Sequence, residues 1–195
     1  MKKPIIALIL AAAILFGMSA VLFDIGLENA RAHHLELMQT VLPGAETFTL
    51  EIYSGEDANI RSVHKADQGF VVETVTYGYA GEITMLIGVN NDGRVTGLVV
   101  KEAHETFGLG GNALTDHVFL KQFLNQTGSF EVAASGADAF SGATGEVAPA
   151  EGEAAPVDAI TGATVTSKAV VRCVNSAVAY VTGADATTEA TSWGG

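Results

Sequence analysis

Residues 82–101 read EITMLIGVNNDGRVTGLVVK. Two runs rich in β-branched residues, Glu82 to Val89 and Val95 to Lys101, flank a strong turn signal at Asn90-Asn91-Asp92-Gly93. Similar runs from Thr47 to Tyr53 and from Phe70 to Tyr79 extend the predicted hairpin into a small antiparallel sheet. Four glycines in or beside these strands predict bulges or close backbone approach: Gly78, Gly81, Gly88 and Gly97.

Helical periodicity appears on both sides of the predicted sheet. Apolar residues recur at helical intervals from Leu27 to Leu42, and Pro43-Gly44 supplies a stop. The same pattern predicts helices from Ala113 to Leu124 and from Thr164 to Val181. We therefore expect an α+β fold, with a single N-terminal transmembrane helix followed by a small antiparallel-sheet domain with flanking helices.

The first residues have the character of a membrane anchor. Lys2 and Lys3 precede an uncharged run from Pro4 to Phe23, which has about the length that a helix needs to cross a bilayer. A cleavable signal peptide usually has a shorter apolar region, so we expect the run to be retained. Positive residues before a first span tend to stay cytoplasmic, which predicts an extracytoplasmic position for the rest of the chain at the plasma membrane.

These signals divide the chain into four parts. We predict a cytoplasmic start and anchor over residues 1–23, a juxtamembrane helix over 24–44, an extracytoplasmic domain over 45–183 and a flexible tail over 184–195. Within the domain, residues 127–157 are rich in Ala, Gly, Ser and Glu and have few large apolar side chains. Such a composition predicts a surface loop.

Charge and cysteine content exclude several functions. Ten basic against 22 acidic residues give a formal net charge of -12, which disfavours a nucleic-acid partner. The single Cys173 has no partner for an internal disulfide and is expected to be a buried structural residue. His33 and His34 are adjacent and therefore point in different directions, so we predict no metal site. No catalytic group of residues stands out.

The segment Asp158 to Ser167, DAITGATVTS, has the character of an anion site. Gly162 and Ala163 are small, and the helix that follows begins with several hydroxyl side chains. A helix start offers unpaired N–H groups and the positive end of the helix dipole, which suit a phosphate, and Lys168 adds positive charge nearby. The alternative is that Thr164 or Thr166 simply caps its own helix.

The run from Thr161 to Ser167 resembles the flavinylation motif of FMN-binding domains in the G subunit of Rnf-type ion-translocating electron transport complexes. The related C subunit of sodium-translocating NADH:quinone reductase carries a similar motif. This resemblance implies a covalent cofactor, with the phosphate of FMN joined by a flavin transferase to the hydroxyl of Thr164 as a phosphoester. It implies further cofactor contacts from the neighbouring residues Thr161, Gly162, Ala163, Val165, Thr166, Ser167 and Lys168.

A second part of the chain resembles the same family. The segments from Gly78 to Ile83, from Asp92 to Gly97 and from His104 to Gly110 follow one another in the family's order. The resemblance implies that the third segment lies near the flavin, where Phe107 replaces the family's usual proline. The cofactor-binding residues implied there are Glu105, Thr106, Gly108, Leu109 and Gly110. On its own, this segment is more typical of a glycine-rich turn between a strand and a helix than of a cofactor site.

A similar motif occurs earlier, at Ser141-Gly142-Ala143-Thr144. It is followed by Gly145 and Pro149, which are poor helix formers, whereas Thr164 begins a strongly periodic helix. We therefore predict attachment at Thr164 and not at Thr144.

The resemblance implies the function of an electron carrier. The chain would relay electrons through FMN within a membrane Rnf-type ferredoxin:NAD oxidoreductase complex that is coupled to ion transport, and it would not be an enzyme on its own. Its partners would be other membrane subunits and, during maturation, a flavin transferase. The alternatives are an exported module that binds flavin or another anion non-covalently, and a stand-alone flavin reductase, which the lack of an obvious substrate domain disfavours.

Overall fold

The computed structural model describes residues 2–106, 108, 110–133 and 154–184. The chain divides into two compact units, Met1–Leu37 and Met38–Gly195. The helices are α1 (Lys2–Val41), α2 (Gly110–Thr115), α3 (His117–Lys121) and α4 (Thr164–Thr182). The strands are β1 (Thr49–Glu51), β2 (Ile60–Ala66), β3 (Gly69–Tyr77), β4 (Glu82–Asn90), β5 (Val95–Ala103), β6 (Phe130–Val132) and β7 (Ala155–Val157).

Helix α1 contains both the predicted anchor and the predicted juxtamembrane helix in one continuous element. It ends at Val41, just before Gly44, whose φ of 86° is a conformation that favours glycine. Among the residues that the structure describes, none of the helices combines the length and the apolar character needed to cross a membrane. The membrane span over residues 4–23 therefore stays a prediction.

The sheet is antiparallel throughout, with the strand order β1-β2-β3-β4-β5. The predicted α+β class and four of its strands are confirmed. The hairpin between β4 and β5 turns at the predicted residues, where Gly93 has a φ of 75° and its N–H donates to the carbonyl oxygen of Asn90 at 3.0 Å.

Strand β2 was not predicted, for a physical reason. Its buried apolar residues are Ile60, Val63 and Ala66, so they recur every three residues instead of every two. The register between β2 and β3 shifts between Ile60 and Ser62, which leaves Arg61 as the extra residue of a β-bulge. The bulge lengthens the step from Ile60 to Val63 to three residues and so breaks the alternation by which a half-buried strand is usually found. Ala66 follows Val63 by three regularly paired residues and therefore lies on the other face of the strand.

Helix α4 covers one face of this sheet and forms the main core with it. It contacts β3 and β4, and its buried residues include Val170, Val171, Val174, Ala177 and Val178. The buried side chains contributed by the sheet to this core include Val63, Val72, Ile83, Met85, Ile87, Val89 and Val95. Helix α4 ends at Gly183, which adopts a φ of 68°.

The opposite face of the sheet is covered by the end of α1 and the residues that follow it. Met38, Val41, Leu42 and Ala45 are buried there. Gly88 of β4 and Gly97 of β5 are direct cross-strand partners, and a Cβ on either would collide with the backbone of Val41. The close backbone approach predicted at these two glycines is confirmed.

The prediction of one continuous helix from Ala113 to Leu124 is wrong, because two short helices cover this region. Helix α2 ends at Thr115 and α3 begins at His117, because Asp116 between them acts as an N-cap. Its carboxylate accepts hydrogen bonds from the N–H groups of Val118 at 2.7 Å and Phe119 at 2.9 Å. The hydrogen bonds of Asp116 start a new helix at this point, although the apolar residues continue at helical spacing on both sides of it.

The stretch predicted as a loop over residues 127–157 contains a short strand near each end. Strands β6 and β7 pair in parallel, with Phe130 opposite Ala155 and Val132 opposite Val157. The prediction of a loop is therefore wrong for these six residues. Residues 134–153, which include the second motif at Ser141 to Thr144, lie outside the described part of the chain, as do residues 185–195 of the predicted tail.

Candidate functional site

A tight turn leads into α4. The N–H of Ala163 donates to the carbonyl oxygen of Ile160 at 2.9 Å, which closes a four-residue turn. Gly162 is the third residue of this turn and has a φ of 81°, a conformation that costs a side-chain-bearing residue free energy. The conformation of the turn that precedes α4 therefore requires the glycine of the motif.

The hydroxyl side chains of this segment fall into two classes. Thr161 and Thr164 are exposed, whereas Thr166 and Ser167 are fully buried. The hydroxyl of Ser167 donates to the carbonyl oxygen of Ala163 at 3.0 Å and accepts from the N–H of Ile160 at 3.2 Å. Ser167 thus holds the turn through two hydrogen bonds, whereas Thr164 is exposed to solvent.

The start of α4 has no capping side chain. Its N-cap residue is Ala163, and α4 begins at Thr164. The alternative that Thr164 or Thr166 caps the helix is therefore wrong. Helix α3 offers a contrast within the same chain, because Asp116 there binds two first-turn amides. The first-turn amides of α4 have no such side chain, and they form a positive helix end that fits an anion.

Glu105 joins the two segments that the sequence singled out. Its Oε2 accepts a hydrogen bond from the hydroxyl of Thr166 at 3.3 Å, and its Oε1 accepts one from the N–H of Ala80 at 3.4 Å. The loop after β5, the turn between β3 and β4 and the first turn of α4 therefore meet at one carboxylate.

Two glycines make room for this carboxylate. A Cβ on Gly78 would overlap Glu105 Oε1, and a Cβ on Gly110 would overlap Glu105 Oε2 and approach the hydroxyl oxygen of Thr166. Gly110 is buried at the start of α2, which packs against α4. Both glycines are thus explained by the space that the Glu105 side chain occupies.

The other predicted residues that the structure describes differ in their exposure. Thr106 is exposed, and its carbonyl oxygen accepts from the N–H of Gly111 at 3.1 Å. Gly108 is exposed with a φ of 83°. Val165 is half-buried, Lys168 is exposed, and Leu109 and Phe107 lie outside the described residues.

A groove of about 360 Å³ lies between β5 and the loop and helix that follow it. Its walls include the apolar side chains of Val100 and Leu114, together with Lys101, and it reaches Glu105. No sequence pattern indicated this groove. Lys101 is the extra residue of a bulge in β5, so the alternation that shows which face a strand residue belongs to fails there.

The family model of FMN-binding domains matches residues 78–179. This span is just over half of the chain and contains the turn after β3, the Glu105 loop and Thr164. The chain belongs to the FMN-binding domain family. The resemblance to FMN-binding domains is thereby confirmed, and FMN is the cofactor after which the family is named.

Two relatives of this FMN-binding domain protein are subunits of larger complexes. It is 35% identical over 130 residues to the G subunit of the Na(+)-translocating ferredoxin:NAD(+) oxidoreductase complex of Acetobacterium woodii, covering 66% of this chain and 54% of that one. It is 36% identical over 113 residues to the G subunit of the proton-translocating ferredoxin:NAD(+) oxidoreductase complex of Clostridium ljungdahlii, covering 58% of this chain and 53% of that one. The chain thus spans about half the length of these relatives.

Among solved structures, the FMN-binding domain protein matches the crystal structure of Shewanella oneidensis NqrC. The two are 22% identical, with a TM-score of 0.44, and the match covers 70% of this chain and 64% of that chain.

The buried thiol of this FMN-binding domain protein lies away from the exposed hydroxyls. Cys173 is buried on α4, as predicted, and its Sγ lies 3.3 Å from the hydroxyl oxygen of Thr76 on β3. Burial raises the pKa of the Cys173 thiol, which keeps the thiol protonated. Its position indicates a packing role.

Proposed function

We propose that this chain is an electron-carrying subunit of a membrane Rnf-type ferredoxin:NAD oxidoreductase complex and that it carries FMN joined by a phosphoester to Thr164. The observation that carries the proposal is the exposure pattern of the hydroxyls from Thr161 to Ser167. Thr164 is exposed and begins a helix that has no side-chain cap, whereas Thr166 and Ser167 are buried and hydrogen-bonded. The names of the two relatives support membership of such a complex.

The residues around Thr164 fit a phosphate. The uncapped amides of α4 supply N–H donors, and Gly162 and Ala163 leave space beside them. Lys168 lies four residues after Thr164 and is exposed, so its ammonium group is on the same side of the helix and offsets negative charge. When bound, FMN supplies a ring that takes up and releases electrons singly or in pairs.

The attachment step sets a requirement on the donor. An alcohol and a phosphate monoester do not condense readily in water, so the donor is expected to be a flavin phosphoanhydride such as a flavin dinucleotide. A bond forms between Thr164 Oγ1 and the phosphorus next to the flavin, and the anhydride P–O bond breaks. A nucleoside monophosphate leaves, and the hydroxyl proton passes to a base of the transferase.

We also propose that residues 4–23 anchor the chain in the plasma membrane, with the domain on the extracytoplasmic side. Several large apolar side chains described in and just after this part of α1 are exposed, among them Leu15, Phe16, Met18, Val21, Leu22, Phe23 and Ile25. Carbonate extraction of membranes tests this proposal. The full chain should stay in the membrane pellet, and a chain lacking residues 1–23 should not.

Intact mass and in-gel flavin fluorescence test the attachment. The full chain is produced with a flavin transferase, alongside Thr164→Val, Thr161→Val and Thr144→Val. We expect one FMN adduct that survives denaturation in the wild type and in the last two variants, and no adduct in Thr164→Val. Proteolysis after Glu146, Glu151 or Glu153 separates Thr144 from Thr164 and locates the adduct.

Two outcomes would overturn the attachment. A flavin that is released on denaturation would favour a non-covalent binding module, and an adduct retained in Thr164→Val would place the bond elsewhere. Coupling to ion movement belongs to the whole complex and is tested there. Membranes containing Thr164→Val in place of the wild-type protein should lose ferredoxin-dependent NAD reduction and the ion gradient together.

A further inference from the structure

We infer that Glu105 is a positioning residue, which holds the first turn of α4 so that the Thr164 hydroxyl is presented for attachment, and that it is not a ligand of the flavin. The role of Glu105 in attachment rests on the proposed function of Thr164. Its role in ordering the helix start does not.

The carboxylate of Glu105 is already engaged by the protein itself. Both oxygens accept hydrogen bonds, one from the N–H of Ala80 and one from the hydroxyl of Thr166. The protein's own donors thus take one acceptor position on each oxygen of this carboxylate. Its negative charge is also poorly suited to a phosphate at the start of the same helix.

The packing around Glu105 confines its side chain. The Glu105 carboxylate occupies the space that a Cβ on Gly78 or on Gly110 would need. The side chain therefore lies between two backbone segments. The Glu105 side chain is half-buried. A confined carboxylate transmits the position of the β3–β4 turn to the helix, which a freely rotating one cannot do.

Thr166 links this carboxylate to Thr164. Both threonines belong to the first turn of α4, two residues apart. Thr166 is fully buried and is bound by Glu105, while Ser167 binds the preceding turn through Ile160 and Ala163. The first turn is thus fixed from two sides, and Thr164 carries its exposed hydroxyl between these fixed points. Orienting a nucleophile in this way can change a reaction rate by orders of magnitude.

Hydrogen exchange on the flavin-free full chain is the first test. We expect Glu105→Ala and Thr166→Val to speed amide exchange at residues 167 and 168, whose N–H groups make the first hydrogen bonds of α4, by about tenfold, the effect of losing one hydrogen bond to a charged group. Exchange in the second half of α4 should stay unchanged. Glu46→Gln, which alters an exposed carboxylate between α1 and β1, is the control. Unchanged exchange at residues 167 and 168, or faster exchange along all of α4, would overturn the inference.

The kinetics of attachment are the second test. With the full chain as acceptor substrate, Glu105→Ala should lower the kcat of flavin transfer by about tenfold or more and leave the KM for the acceptor within about twofold. Glu105→Gln should recover most of the rate, because an amide can accept from Ala80 and donate to Thr166. Combining Glu105→Ala with Thr166→Val should add no further loss.

The two tests separate the inference from the proposed function. If the wild type acquires no covalent flavin, or Thr164→Val still does, the proposed function fails while the exchange data still decide whether Glu105 orders the helix start. If Thr164 is flavinylated and Glu105→Ala reacts at the wild-type rate, the proposed function stands and the positioning role fails. If the double variant loses the product of the two single-variant losses in transfer rate, Glu105 does not act on Thr164 through Thr166.

Discussion

The hydroxyl of Thr96 donates a hydrogen bond to the carbonyl oxygen of Val41 at 2.6 Å. Thr96 is the extra residue of a bulge in β5, since Gly88 pairs with Gly97 and Val89 pairs with Val95. Val41 is the last residue of α1, where carbonyl oxygens have no partner within the helix. The bulge therefore turns a strand hydroxyl into a cap for the helix end.

The glycines beside this contact should be sensitive to substitution. Gly88→Ala and Gly97→Ala each place a Cβ against the backbone of Val41, which cannot move aside without breaking the Thr96 contact. We expect each to lower the free energy of unfolding by about 2 kcal/mol or more, measured by chemical denaturation. Gly111→Ala in α2 is the control, because a Cβ there meets only an ordinary contact. Equal stability of all three variants would contradict this account.

Glu73 should matter for stability through its ion pairs. It lies on the central strand β3 with its side chain 7% exposed, and both its oxygens lie 3.1 Å from Lys101 Nζ. Glu73→Ala should cost about 2 kcal/mol, less than a fully buried pair because Lys101 and Arg61 stay partly exposed. Glu102→Ala removes a carboxylate that is 67% exposed and should change stability by less than about 0.5 kcal/mol.

Tyr180 should make stability depend on alkaline pH. Partial burial, followed by its hydrogen bond to Glu51, raises the pKa of Tyr180 to about 12 from a usual value of 10.0. The folded state then keeps a proton that the unfolded state loses, so this contribution is complete below pH 10 and disappears as pH rises to about 12. The stability difference between wild type and Tyr180→Phe should therefore shrink over this range in denaturation curves. A constant difference would argue against the shift.

Cys173 should be unreactive in the folded protein. Its thiol is buried and burial raises its pKa, so both access and thiolate formation are suppressed. Iodoacetamide at pH 8 should label it at least about a hundredfold more slowly in buffer than in denaturant, as followed by mass. Fast labelling of the native chain would mean that α4 opens locally.

Much of the sheet could be predicted because its strands follow simple patterns. Strands β3, β4 and β5 are long apolar runs, and the Asn90 to Gly93 turn fixes the hairpin between the last two. Strand β2 escaped prediction because the bulge at Arg61 sets its two core residues, Ile60 and Val63, three residues apart. Strands β6 and β7 escaped because three residues each, joined in parallel across a long separation, leave no local pattern.

The sequence motifs indicated candidate residues for the site, but they did not indicate how these residues are arranged. The motifs indicated Thr164 and Glu105, and Gly162 proved necessary for the turn. The sequence did not indicate that Glu105 reaches Thr166 or that Gly78 and Gly110 flank its carboxylate, because these contacts join residues far apart in the chain. The sequence also did not show which hydroxyl side chains are exposed and which are buried. Thr164 and Thr166 are the same residue type two positions apart, and only their positions on the folded helix distinguish them.

The parallel pairing of β6 and β7 makes the domain tolerant of change at one point. The N–H of Ala133 donates to the carbonyl oxygen of Val157 at 2.9 Å, and the N–H of Ala155 donates to the carbonyl oxygen of Ser129 at 2.8 Å. These bonds hold the two ends of the 134–153 segment next to each other, and neither bond involves a residue of the segment itself. We therefore expect insertions or deletions between these borders to leave the path into the Gly162 turn unchanged. Evolution can therefore vary this segment in length and composition while the threonine that follows keeps its place.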